Sequence, residues 1–129
     1  MSWENEYKSK FTTAEKAVEL IKSGNRVVIG HACGEPSYLV DAMVANAESY
    51  HDVEIVHMVA MGKAGYAQPG MESHFRHNAL FVGGTTRKAV AEGRGDYTPC
   101  FFYRIPSLFT NGSLPVDVAL VQATPCLLY

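Results

Sequence analysis

The sequence predicts an α/β fold: an open, mostly parallel sheet with helices on both faces. Two observations carry that prediction. Short apolar runs alternate along the chain with segments of helical period. The runs are also nearly continuous rather than alternating apolar and polar, which implies strands buried on both faces, the parallel-sheet case. Strand, helix, strand in succession then brings right-handed crossovers and helices above and below the sheet.

The elements follow in order. Residues 1–10 are expected to be flexible. Thr12-Thr13-Ala14-Glu15 reads as a capping box, and Ala14, Ala17, Val18 and Ile21 fall on one helical face closed by Gly24. Residues 26–32 (RVVIGHA) read as a strand broken by Gly34-Glu35-Pro36. Pro36 suits a first helical position, and Leu39, Val40, Met43, Val44 and Ala47 continue an apolar face from it. Residues 53–60 (VEIVHMVA) form the next expected strand, 79–83 (ALFVG) the third, 99–103 (PCFFY) the fourth and 116–123 (VDVALVQA) the fifth. A short helix is expected to run to Gly93 and another over 105–109, stopped by Asn111-Gly112. Within the long loop 62–78, Met71 to His77 is expected to be a helix.

The chain has 129 residues, which fits one domain, 1–129, with an atypical tail at 124–129. Hydrophobic residues are 47%, charged residues 19% and the net charge −2, an ordinary globular mix without a basic stripe. That balance argues against nucleic acid as a partner. The acidic start has no apolar stretch behind it, unlike a signal or transit peptide. No apolar run approaches the roughly 20 residues that span a bilayer. Cys33, Cys100 and Cys126 are odd in number and far apart, so they read as reduced thiols of a cytoplasmic protein.

In an open parallel sheet, ligands sit outside the carboxyl ends of the strands. The informative loops are therefore 30–36, 60–78 and 83–86. Gly30 and Gly34 let the backbone turn tightly, and a helix opening at Pro36 aims N–H groups at a ligand or merely follows a turn. Gly83-Gly84-Thr85-Thr86 repeats the design, with Thr85 as ligand donor or as plain N-cap. Neither loop has the G-x-G-x-x-G or Gly-Lys-Ser/Thr spacing of a nucleotide site. Glu35, at a strand exit beside a helix start, is a candidate nucleophile or base, or a helix-capping carboxylate. Cys33 is a candidate activated thiol without a visible base. His74-x-x-His77 would place two imidazoles on one helix face and, with His31, Cys33 or His57, would make a zinc hydrolase conceivable; no third ligand is clear and no metal is assigned. His57 reads as a satisfied core histidine, and Arg94-Gly95-Asp96 as coincidence at a helix exit.

Several long motifs together resemble the N-terminal domain of the acetyl-CoA hydrolase/transferase family. They are residues 23–36 (SGNRVVIGHACGEP), 53–62 (VEIVHMVAMG), Pro69-Gly70-Met71, 74–86 (HFRHNALFVGGTT), Pro99 to Tyr103 and 114–120 (LPVDVAL). The resemblance runs from about Tyr7 to Pro125. It implies a CoA-transferase-like (NagB/RpiA-type) domain of a two-domain enzyme. That enzyme would move CoA from an acyl-CoA to a short-chain carboxylate of the 4-hydroxybutyrate, butyrate or acetate type. A glutamate would attack the thioester, with no permanently bound cofactor and the coenzyme A thioester as substrate.

The resemblance also implies that the nucleophilic glutamate lies in a second domain, so no catalytic residue is assigned here and the isolated chain is expected to be inactive. The tail after Pro125 departs from the family pattern and reads as a truncation or frameshift. The loops carried over as contributors to the acyl and CoA cleft are Gly34, Glu35 and Pro36, Met61 and Gly62, and Gly83, Gly84 and Thr85. Expected partners are the missing C-terminal domain and a second copy of the chain, with no membrane. The alternative is a non-catalytic α/β module that binds a small anion or docks a partner.

Overall fold

A computed structural model describes residues 3–123. The elements are α1 (Trp3–Lys10), α2 (Ala14–Val18), β1 (Arg26–Ile29), α3 (Ser37–Ala45), β2 (Val53–His57), β3 (Phe75–Ala79), α4 (Arg87–Ala91), β4 (Gly95–Tyr97), α5 (Ile105–Thr110) and β5 (Val118–Leu120). The five strands form one sheet in the order β4-β3-β2-β1-β5, and every neighbouring pair is parallel. All carboxyl ends therefore lie along one edge, and the exit loops of all five strands gather there.

Local chemistry explains most boundaries. The Thr13 hydroxyl accepts the Lys16 N–H at 3.4 Å and opens α2, one residue later than the Thr12-to-Glu15 capping box places the start. Gly24, with φ of 79°, turns the chain into β1, and its N–H donates to the His51 carbonyl at 2.9 Å. α3 buries Val40 and Met43, followed by Ala47, along the expected face. Helix α1 was not legible as a helix; its eight residues are mostly polar, with a Glu6–Lys10 ion pair one turn apart.

Three expectations are corrected. The third strand is Phe75–Ala79, which replaces both the expected helix over 71–77 and the expected strand over 79–83. The fourth is Gly95–Tyr97 at the sheet edge, not 99–103, which forms a loop and a single 3₁₀ turn. The physical reason is the same in each case. β3 pairs with β2 through polar residues that have partners on the sheet, so it lacks an apolar run. The apolar runs that follow β3 and β4 are instead rim segments, with Phe81, Phe101, Phe102 and Tyr103 exposed.

The two faces of the sheet are packed differently. On one face Val27, Ile29, Val53, Ile55 and Phe75 lie beneath Val18, Val40 and Met43 of α2 and α3, all of them buried. Each such side chain contributes roughly 1.5–3 kcal/mol relative to exposure. On the other face α5 covers Val28, Val56 and Leu80 through Ile105, Leu108 and Phe109. Beside that apolar patch a polar ladder runs obliquely, from the amino end of β1 to the residue after β4. Arg26 Nε donates to Glu54 at 2.7 Å, Asn78 Nδ2 donates to Glu54 at 2.8 Å, and Thr98 Oγ1 donates to Asn78 at 2.8 Å. One ladder thus crosses from β1 to the end of β4. At its other end the Asp117 carboxylate accepts the Arg26 N–H at 2.7 Å and ties in β5.

Candidate functional site

Three of the exit loops are bonded to one another at the carboxyl edge. Beyond β1, Gly30 donates its N–H to the Leu120 carbonyl at 2.8 Å, and a Cβ there would stand 2.9 Å from the Gly34 carbonyl oxygen. Only glycine fits that approach. Ala32, in the left-handed region at φ 54°, begins a 3₁₀ turn, and its N–H donates to the Val59 carbonyl at 3.0 Å. His31 and Cys33 point outward and are exposed, and Gly34 is exposed beside them.

Glu35 turns the other way. Its side chain is 4% exposed, and Oε2 accepts the N–H groups of Met61 and Gly62, each at 2.9 Å. The capping role is not observed: the carboxylate serves the neighbouring loop, while Pro36 occupies the N-cap of α3 with no side-chain cap bond. A Cβ at Gly62 would collide with Glu35 Oε1, so a side chain there would push the carboxylate off its two amides. Met61 projects to solvent, 64% exposed. The loop continues through Ala64, left-handed at φ 46°, into a 3₁₀ turn at 65–67 that carries the buried Tyr66. Lys63 reaches Asp41 of α3 at 2.8 Å, and Arg94 holds the Ala67 carbonyl, so Arg94 is a loop anchor rather than an idle tripeptide residue.

Beyond β3, Gly83 is buried and Gly84 exposed. The Thr85 hydroxyl donates to the Ala60 carbonyl at 2.9 Å, binding this loop to the β2 exit. The N-cap of α4 is Thr86, not Thr85, and its buried hydroxyl has no hydrogen-bond partner. So Gly34, Glu35, Pro36, Met61, Gly62, Gly83, Gly84 and Thr85 converge on one rim. Of these, Glu35 and Thr85 act in the structure as ties between loops.

Sequence reasoning missed the support beneath the rim. His57, the last residue of β2, is buried, and its Nδ1 lies 2.7 Å from the Tyr66 hydroxyl. Its Nε2 has no hydrogen-bond partner and stands 3.9 Å from Glu35 Oε2, so it is only half satisfied. Burial depresses its pKa, against the opposing pull of the Glu35 charge. His77, buried next to the Tyr66 ring, donates from Nδ1 to the Ile55 carbonyl at 3.3 Å. Desolvation pushes its pKa down to about 4. Burial raises the Tyr66 phenol, which stays protonated. The signal available in the sequence was His57 ending an apolar strand nine residues before Tyr66.

His74 and His77 do not share a helix face. His77 is on β3, and His74 donates from Nδ1 to the Tyr50 carbonyl at 2.9 Å just before that strand. Among the described residues no three His, Cys, Asp or Glu side chains converge as metal ligands. The rim also borders an apolar groove of about 280 Å³ between the sheet and α5, lined by Val28, Val56, Leu80, Phe102 and Tyr103, with His31 at its mouth.

Parallel strands, helices on both faces and exit loops tied into one rim define an open parallel α/β domain with its candidate site at the carboxyl edge. The chain belongs to the acetyl-CoA hydrolase/transferase family: the profile of the Acetyl-CoA hydrolase/transferase N-terminal domain matches residues 1–127. It is 62% identical, over 96% of its length and 29% of the relative's, to the 4-hydroxybutyrate coenzyme A transferase of Clostridium kluyveri. Among solved structures, the 4-hydroxybutyrate CoA-transferase of Porphyromonas gingivalis matches with a TM-score of 0.72 and 30% identity, covering 94% of this chain and 26% of that one. RipA from Yersinia pestis matches in fold, with a TM-score of 0.84 at 22% identity over 94% of this chain and 30% of that one. The chain thus spans less than a third of the length of these relatives.

Proposed function

We propose that this chain forms the N-terminal half of a thioester cleft, in a CoA-transferase acting on acyl-CoA and a short-chain carboxylate of the 4-hydroxybutyrate, butyrate or acetate type. In the proposed reaction a glutamate carboxylate, in polypeptide outside these 129 residues, attacks the thioester carbonyl. The C–S bond breaks, CoA thiolate leaves and an acyl-glutamyl anhydride remains. The thiolate then attacks the glutamyl carbonyl, giving a glutamyl-CoA thioester and releasing the first carboxylate. The acceptor carboxylate runs the same two steps in reverse. The chain's own contribution is a preorganised rim that positions the thioester and excludes water.

The observation that carries this reading is the convergence of the three glycine loops, tied by Glu35 to Met61 and Gly62 and by Thr85 to Ala60. The exposed Phe101, Phe102 and Tyr103 support burial of this rim against further polypeptide, a second α/β domain or a second copy. We place the protein in the cytoplasm. Unpaired Cys33 and Cys100 support that, and no helix among the described residues is long and apolar enough to cross a membrane.

Two measurements test the reading. Butyryl-CoA titrated into the ¹⁵N-labelled chain is expected to shift the amide signals of Gly34, Met61 and Gly84; unchanged signals at all three would sink the cleft assignment. With butyryl-CoA and acetate, the chain alone is expected to transfer nothing. Turnover by these 129 residues would place the nucleophile within them.

A further inference from the structure

The Glu35 carboxylate is buried with two backbone donors, both on Oε2. A buried carboxylate needs further compensation. His57 Nε2, a buried atom with no hydrogen-bond partner, stands 3.9 Å from Oε2. An orphan of this kind calls for an explanation.

The tautomer of His57 can be worked out from its neighbours. The Tyr66 hydroxyl is protonated and buried, so it must donate. It lies 2.7 Å from His57 Nδ1, which therefore accepts. The imidazole is neutral, since burial outweighs the Glu35 charge. The ring proton then sits on Nε2, between the Glu35 carboxylate and the backbone of Gly30. At 3.9 Å this is not a hydrogen bond but a charge–dipole contact, and burial leaves it weakly screened.

We propose that His57 is a positioning residue of the cleft: its Nε2–H, fixed in place by the Tyr66 hydroxyl on Nδ1, holds the Glu35 carboxylate on the Met61 and Gly62 amides and so sets the β2 exit loop. That this loop lines a thioester cleft rests on the function proposed above; the positioning itself does not. The direction of the effect follows from the geometry. Without the Nε2 donor, the carboxylate keeps only its two amides and is free to rotate. Oε1 already packs where Gly62 leaves no room for a methyl group, so rotation displaces the loop.

The test uses the full 129-residue chain, ¹⁵N-labelled and free of CoA. A two-bond ¹⁵N–¹H correlation of the imidazoles reads the tautomer directly, and His57 is expected with a bare Nδ1 and a protonated Nε2. In Tyr66→Phe the ring should become a mixture of both tautomers. Two substitutions then separate positioning from packing. His57→Gln puts its amide nitrogen near the place of Nε2, while His57→Asn reaches only the Nδ1 side. Both should lose similar melting temperature. Hydrogen exchange at Met61 and Gly62 should rise about tenfold in His57→Asn, as in Glu35→Gln, and stay near wild type in His57→Gln.

A wild-type His57 protonated on Nδ1 would overturn the proposal. So would equal exchange changes in the Gln and Asn variants. If those variants do not fold, the wild-type and Tyr66→Phe tautomers still decide. Because no readout involves CoA, failure here leaves the transfer reading standing, and failure of CoA binding leaves the tautomer result intact.

Discussion

The two faces of the sheet solve the same covering problem in opposite ways. The face under α2 and α3 is apolar but for the buried His57 and His77, and its strand residues Val27, Val53 and Ile55 are fully buried. The face under α5 is split: a short apolar patch, and beside it a ladder of Arg26, Glu54, Asn78 and Thr98 that runs obliquely across the strands. The first face is held by area removed from water, which is non-directional. The second is held by hydrogen bonds of fixed geometry, which specify register more than they add stability. A sheet can leave one face thinly covered when its strands carry their own cross-links.

The sharpest way to break this contrast is on the packed face. Phe75→Ala is expected to cost about 3–5 kcal/mol, read as a lower denaturant midpoint, since the cavity would open beneath Tyr50. A change of less than about 1 kcal/mol would mean that face is not the main core. Next comes acid. His77 is neutral when folded and titrates near pH 4 rather than 6.5, and His57 is depressed in the same direction. Between those values the unfolded chain binds more protons, so stability is full above pH 6.5 and falls as pH drops toward 4. The expected slope is up to about 1.4 kcal/mol per pH unit for each such histidine. Melting temperatures that stay flat from pH 7 to about 4.5 would contradict that burial.

On the ladder face, Glu54→Ala should cost about 1–3 kcal/mol by leaving Arg26 and Asn78 without their shared acceptor. A neutral result would show the ladder to be incidental. The smallest effect is expected at the rim, where Phe102→Ser should stay within about 0.5 kcal/mol of wild type. Light scattering should nevertheless report less self-association, because an exposed aromatic is removed.

The same contrast explains what could be read in the sequence. Helical faces of period 3.6 and the strands β1, β2 and β5 were legible, because their side chains meet apolar partners on one face or both. β3 was not. Its Arg76 bonds Asp96 at 2.7 Å, its Asn78 joins the ladder and its His77 hides under Tyr66, so a polar-looking pentapeptide is an interior strand of the sheet. β4 is three residues at an edge and carries no apolar signal. Conversely, the run Pro99 to Tyr103 is apolar because it forms the rim, not because it is inside.

For the site, glycine spacing located the loops, since a close backbone approach demands glycine at Gly30 and a side chain at Gly62 would displace Glu35. The inward turn of Glu35 was hidden, because its acceptors' partners lie 26 and 27 residues away. The His57–Tyr66 pair was hidden because hydrogen-bonded histidines and inert ones look alike in one dimension.

The position of β1 has a consequence for how the molecule comes into being. Its flanks are filled by β2, some 25 residues on, and by β5, whose clamp from Asp117 to Arg26 spans 91 positions. During synthesis, one side of β1 stays open until residue 120 has emerged. Nascent chains must therefore guard a bare strand edge until β5 is made, which makes this seam a place for chaperones, or for aggregation, to act first.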